Sequence, residues 1–207
     1  MNRILAIVLA LVLGTSLAFS AEILQPNIQV GSNWTFKKVD MYTGLTKSTW
    51  KNVVQSKTEN VYNIVRYDMQ GAVIRQYSLT KNLGQGSPIA GGKVGDGNLY
   101  MFPLKLGDSW TTKGYWVNNR NEEGYDEVTY TVQGEQELTV EAGKFAVIKV
   151  TGSGKWHNFT QNGSGSLSIV SYYSPSAQVT VRTEWTTSYG QNTPTRDAFE
   201  LIAFELK

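Results

Sequence analysis

The sequence predicts an all-β protein, and three observations carry that expectation. Aromatic residues make up 12% of the chain, there are 20 glycines, and Thr, Ser and Val are frequent, which suits short strands joined by glycine turns. Apolar residues alternate with polar ones in runs of seven to ten, with a turn signal about every ten residues. The stretch ELTVEAGKFAVIKV over 137–150 reads as two strands around a tight turn, with Leu138 and Val140 before it and Phe145, Val147, Ile148 and Val150 after it. Ala142-Gly143 supplies the turn, with glycine where a positive φ costs least. The expected architecture is an antiparallel meander forming a barrel-like or two-layer sheet.

The first elements expected are strands over 34–42, 49–56, 61–69 and 72–79, the last two joined as a hairpin through Gln70-Gly71. Residues 84–97, GQGSPIAGGKVGDG, hold six glycines and one proline and read as a mobile loop. No Gly-Lys-Ser/Thr follows them and no helical pattern begins at their end, so a phosphate cradle is disfavoured. Further strands are expected over 127–140, 144–152, 167–174, 178–187 and 199–206, with polar loops at 118–126 and at Gly163-Ser164-Gly165-Ser166. Residues 30–35, VGSNWT, and 106–111, LGDSWT, are near copies 76 residues apart, each ahead of a run of strands. Two similar halves, about 28–83 and 101–207, are one explanation and coincidence is the other.

The chain begins with a basic Arg3, an apolar run from Ile4 to Leu13, and then small residues through Ala18 and Ser20 to Ala21. That pattern is a secretory leader over 1–20, too short to span a bilayer, which needs roughly twenty apolar residues. There is no cysteine, which excludes disulfides and a cysteine-linked lipid anchor. The remaining 21–207 is long enough to bury a core as a single β domain. Net charge is +2, or +1 once Arg3 is removed, so no electrostatic attraction to nucleic acid or anionic membrane is expected.

Four groups of landmarks stand in order: Pro103 to Trp110, Thr139-Val140-Glu141-Ala142-Gly143-Lys144-Phe145, Tyr172-Tyr173-Ser174-Pro175, and Phe199-Glu200-Leu201. Together they resemble a bacterial family of secreted β-rich proteins of unknown function labelled TapB-like, over roughly residues 103–206. The resemblance implies an exported antiparallel β fold centred on the AG-x-F hairpin, and it brings no reaction, cofactor or catalytic residue. The chain departs from that pattern at Ser176-Ala177-Gln178-Val179, where a charged or glycine-containing turn is more usual.

Catalytic constellations are scarce. One histidine and no cysteine remove thiol chemistry and multi-histidine metal centres, and any serine triad would have to use His157, which has no Gly-x-Ser-x-Gly elbow beside it. The acids Glu122-Glu123 and Asp126-Glu127 sit in a polar stretch that reads as solvated, and Glu135, Glu137 and Glu141 read as the wet face of the hairpin, so a glycosidase pair is disfavoured. A calcium loop over 118–126 lacks the spaced Asp-x-Asp-x-Asp-Gly run. No catalytic, cofactor or metal residue is assigned.

The aromatics Trp116, Tyr125, Tyr130, Trp156, Tyr172, Tyr173, Trp185 and Tyr189 give the stronger signal, because alternation can gather several on one surface for an apolar or carbohydrate ligand. The bland reading of these rings is core packing. The leading function is a non-enzymatic envelope protein binding such a ligand or a surface partner; the alternatives are a structural or assembly factor that offers an edge strand, then a hydrolase. N-terminal sequencing of the exported protein is expected to find it beginning near Ala21, and a mature chain that starts at Met1 would contradict the leader.

Overall fold

Ten antiparallel strands form one sheet in the computed structural model, which describes residues 22–85, 97–118 and 120–207. The expected leader and most of the glycine-rich stretch lie outside the described residues. β1 (Asn33–Asp40), β2 (Thr46–Lys57), β3 (Val61–Tyr67) and β4 (Val73–Thr80) step outward as one meander. β5 (Ser109–Val117), β6 (Glu123–Val140), β7 (Gly143–Asn158), β8 (Gly163–Ser174), β9 (Val179–Ser188) and β10 (Thr195–Glu205) form a second. The order is β4-β3-β2-β1-β10-β9-β8-β7-β6-β5, so the first and last strands pair in the middle. β4 and β5, neighbours in sequence, are the two edges, and the sheet does not close. No helix among the described residues is long and apolar enough to cross a membrane.

Alternation along each strand sets an inner face. Val128, Tyr130 and Val132 of β6 are buried between exposed neighbours, and Leu167 and Ile169 do the same on β8. Trp34, Val54, Ile64, Val150 and Leu201 add to that face from the other strands. A curved sheet with an apolar concave face must fill it. Two connecting segments fill its lower half: Ile28 from the lead-in, and Tyr100 and Leu104 from the stretch that carries the chain between the two edges, all essentially without solvent contact. The Tyr100 hydroxyl shares a 2.7 Å hydrogen bond with Thr180, and its ring lies 5.3 Å from that of Tyr173. Tyr62 donates its hydroxyl to the Pro26 carbonyl at 2.7 Å, and Trp34 donates Nε1–H to the Ala177 carbonyl at 2.9 Å. These bonds satisfy polar tips that burial would otherwise leave costly.

The central hairpin is present, with Leu138 opposite Phe145 and Gly143 at φ 134°, in the region where a side chain is strained. A bulge between Val132 and Gly134 redirects the outer part of the β6–β7 pair. Beyond it the arm reaches past β8 and β9 in the sheet order. Ala142 N–H donates to the Leu201 carbonyl at 3.3 Å, Glu141 pairs with Lys37 of β1 at 2.8 Å, and the Phe145 ring meets Phe204. The arm therefore ties the second meander to the junction of β1 with β10.

Two sequence expectations fail locally, and one strand is left unassigned by the sequence. Residues 109–117 form β5, for which no strand is expected beyond the segment leading into it, and Glu123 to Asp126 belong to β6 rather than to a loop. Gly163 to Ser166 are strand, not loop, because the Trp156 ring covers the chain there: a Cβ on Gly165 would lie 2.7 Å from Trp156 Nε1. The two near-copied segments do lead into strands, with Gly31 and Gly107 at φ 89° and 84°, yet one strand is central and the other an edge. Gln178 adopts φ 54° in the turn where the sequence departs from the TapB-like pattern.

Phe145→Ala is expected to cost about 3–5 kcal/mol, the usual range for emptying a buried aromatic site. Urea unfolding of the variant measures it, and an unchanged midpoint would show that the arm adds nothing to stability.

Candidate functional site

Above the filled lower half, the described residues leave the concave face open between the two edges. Asn98 spans the gap: its Oδ1 accepts from the Thr80 hydroxyl of β4 at 2.8 Å, and its backbone N–H donates to the Thr112 hydroxyl of β5 at 3.1 Å. A Cβ on Gly114 would come 3.2 Å from Gly97, so the chain at Gly97 lies close against β5. The result is a cavity of about 370 Å3 whose walls include Leu79 of β4, Leu99 of the crossing segment, Trp116 of β5, Val128 and Tyr130 of β6, and Trp185 of β9. That volume suits part of a small apolar ligand, since such sites run from about 300 Å3 upward.

Glycines seat the rings. A Cβ on Gly124 would fall 2.3 Å from the Trp116 ring, and one on Gly152 would fall 2.6 Å from Tyr130. Each ring lies flat over a strand position with no side chain, which replaces the lost cross-strand contact and fixes the ring's angle. Trp116 Nε1–H donates to Asp126 Oδ1 at 3.0 Å. Burial raises the Asp126 carboxyl to about 6, against the lowering effect of that one hydrogen bond. The cavity thus has an apolar lining with a carboxyl on its β6 wall and the Arg75 guanidinium on its β4 wall.

The eight aromatics singled out in the sequence divide by face. Trp116, Tyr130 and Trp185 line the cavity, and Trp156 lies on the same inner face, packed on Gly165 and Tyr189. Tyr173 is in the filled lower half against Tyr100 and Phe102. Tyr125 lies on the outer face with Tyr115, His157 and Phe159, and Tyr172 faces outward opposite Lys149 and Arg182. Leu79, Leu99 and Arg75 had no sequence signal; only the pairing of distant edges brings them to the cavity.

The remaining candidates fall elsewhere. His157 contacts the rings of Tyr125 and Phe159 on the outer face, so it and Asp126 stand on opposite sides of the sheet and make no acid–base pair. Glu122, expected to be solvated, is buried: Asn118 donates to it at 2.7 Å, Arg120 at 3.1 Å and Asn158 at 3.2 Å, with Gln161 also donating. The Asn118 hydrogen bond leads the effects that hold its carboxyl below the usual range. A carboxylate so enclosed by donors clasps the β5–β6 and β7–β8 turns and offers no face to a cation. Glu137 pairs with Lys144 and Glu141 with Lys37, both largely exposed. Among the described residues no cluster of His, Asp and Glu could hold a metal ion.

The geometry defines a class: an open, all-antiparallel sheet with a half-filled concave face. No family model and no curated protein matches the sequence. Solved structures do match in fold. A candidate lipoprotein of Parabacteroides distasonis superposes with a TM-score of 0.55 at 15% identity, over 90% of this chain and 100% of its own. A candidate exported protein with a YmcC-like fold from Bacteroides fragilis gives 0.52 at 15%, over 89% and 100%. At that identity the likeness is one of fold, and this chain has a YmcC-like architecture.

Because the native Asp126 keeps its proton to higher pH than the unfolded chain, from 3.8 up to about 6, stability falls across that window and stays lower above it. Asp126→Asn keeps an acceptor for Trp116 and removes the charge. It is expected to be more stable than wild type at pH 8, on the order of 2 kcal/mol, and nearly equal to it at pH 4, by urea midpoints at both. An equal difference at the two pH values would contradict a buried charge.

Proposed function

We propose that the protein is exported to a bacterial envelope and there binds an apolar ligand in the cavity between β4 and β5 without chemically altering it. The carrying observation is the cavity itself, walled by Leu79, Leu99, Val128, Trp116, Tyr130 and Trp185. Export is supported by the leader pattern, by the resemblance to the TapB-like family, and by the description of two proteins of the same fold as candidate lipoprotein and candidate exported protein. An apolar ligand is favoured over a carbohydrate because aliphatic side chains share the wall with the rings, whereas a sugar's hydroxyls need several polar partners.

One observation supports the assembly-factor reading. Val73 and Ile74 are each 55% exposed on the edge strand β4, where backbone groups can pair with an added strand. Ile74→Lys would oppose such pairing and leave the cavity intact.

1-N-Phenylnaphthylamine, a neutral apolar dye, is expected to bind one site per chain with energy transfer from tryptophan. Trp116→Ala with Trp185→Ala should weaken binding at least about tenfold while circular dichroism stays that of the wild type. Dye binding unaffected by the double change, or displacement by monosaccharides and by no apolar compound, would overturn the apolar reading.

A further inference from the structure

We infer that the cavity's ligand carries an organic ammonium group, held between the Asp126 carboxylate and the face of Trp116, with a hydrocarbon body along the apolar walls. The inference rests on the cavity being the binding site and adds the chemistry of the ligand's polar end. Asp126 lines the β6 wall, where Oδ1 accepts from Trp116 Nε1–H at 3.0 Å. Its other oxygen accepts from no described residue, and no described cation pairs with the carboxyl. An ionised carboxylate can take about four hydrogen bonds, so one donor leaves it short of partners.

The neighbouring strands bring no charge to it. The register sets Gly114 of β5 and Trp156 of β7 beside Asp126, and the next inner-face positions are Thr112 and Trp116 on β5 and Gly152 and Gly154 on β7. Trp156 directs its own N–H to the Ser188 carbonyl at 3.3 Å. On β6 itself, burial raises the Tyr130 phenol, which stays neutral. Asp197 of β10, paired in register with Trp185, is taken by Lys38 at 2.9 Å and Lys47 at 2.8 Å. Arg75 stands on the facing β4 wall, where the Gln85 side-chain amide lies 2.9 Å from its Nη2 and the Tyr77 ring centroid lies 5.7 Å from its guanidinium. A cation close to Asp126 would lower its carboxyl, whereas burial raises it to about 6 against the Trp116 hydrogen bond alone. The carboxylate is therefore ionised at neutral pH and costs stability there. Trp116 rests one face on Gly124 and gives the other to the cavity, beside that charge. An ammonium seated there meets a carboxylate and an indole face together, and each attracts a cation more strongly away from water. A purely apolar end would leave the charge buried and unpaired, and an anion would be repelled by it.

The test uses the mature chain at pH 7.5 and displaces bound 1-N-phenylnaphthylamine with dodecylammonium, lauroyl lysophosphatidylethanolamine, dodecanol and dodecanoate, which share a chain length and differ in head group. One or both of the ammonium compounds are expected to bind at least about tenfold tighter than dodecanol, and dodecanoate no tighter than dodecanol. Selection of dodecylammonium alone assigns a simple amine, and of the lysolipid alone a lipid head group; either supports the inference. In Asp126→Asn the preference for ammonium over alcohol should shrink to within about twofold, with wild-type circular dichroism. In the wild type it should fall at least about threefold at pH 4.5, because the carboxyl gains its proton as pH falls through about 6 while a primary ammonium stays charged. Wild-type binding that prefers neither ammonium compound to dodecanol, or prefers dodecanoate, overturns the ammonium site and leaves the apolar cavity standing. A preference kept in full by Asp126→Asn or at pH 4.5 overturns Asp126 as its partner. Failure of all four compounds to displace the dye overturns the cavity reading as well.

Discussion

The two hydrogen bonds of Asn98 set the separation of β4 and β5, and the shape of the molecule depends on that separation. Sheets of this length meet the problem of exposed edges by closing or by covering them. This one does neither in full: Asn98 of the crossing segment bridges the edges, and the same segment sends Tyr100 and Leu104 down into the concave face. Below Asn98 the trough is packed; above it a cavity remains. Pairing of β1 with β10 makes the arrangement possible, because it places the two meanders side by side and leaves their outer strands to face one another.

Within that frame, small residues decide what the inner face can do. Gly124, Gly152 and Gly165 each lie beneath a ring, Trp116, Tyr130 and Trp156 respectively. Rings laid flat in this way widen the space in front of them, where upright side chains would fill it. The wall they form is rigid, since each ring is trapped between a strand and its neighbours. The charged groups of the lining are divided between the walls, Asp126 on β6 and Arg75 on β4, with apolar side chains between them.

The sequence makes the strands legible where one face is apolar and the other wet. β6 and β8 alternate cleanly, and the hairpin turn at Gly143 is announced by its own chemistry. β5 escapes because both of its faces are mixed: Trp110, Thr112, Gly114 and Trp116 point one way, Thr111, Lys113, Tyr115 and Val117 the other. Gly163 and Gly165 imitate a loop because the ring that compensates them comes from the neighbouring strand. The rings of the cavity wall, Trp116, Tyr130 and Trp185, could be read as candidates but not as a surface, since the bulges near Gly134 and Tyr172 shift which residues face inward. Leu99 and Arg75 belong to the site only through the meeting of two edges, a long-range fact that no local pattern carries. Glu122 misled for a related reason: its donors Asn158 and Gln161 come from another turn.

A crystal structure of the protein purified from its native envelope, without delipidation, tests the central claim most directly. The account predicts continuous elongated density between β4 and β5, lying along Trp116 and Trp185. A cavity closed by direct contact of Leu79 and Leu99 with Trp185, with no density and no room for any, would contradict it.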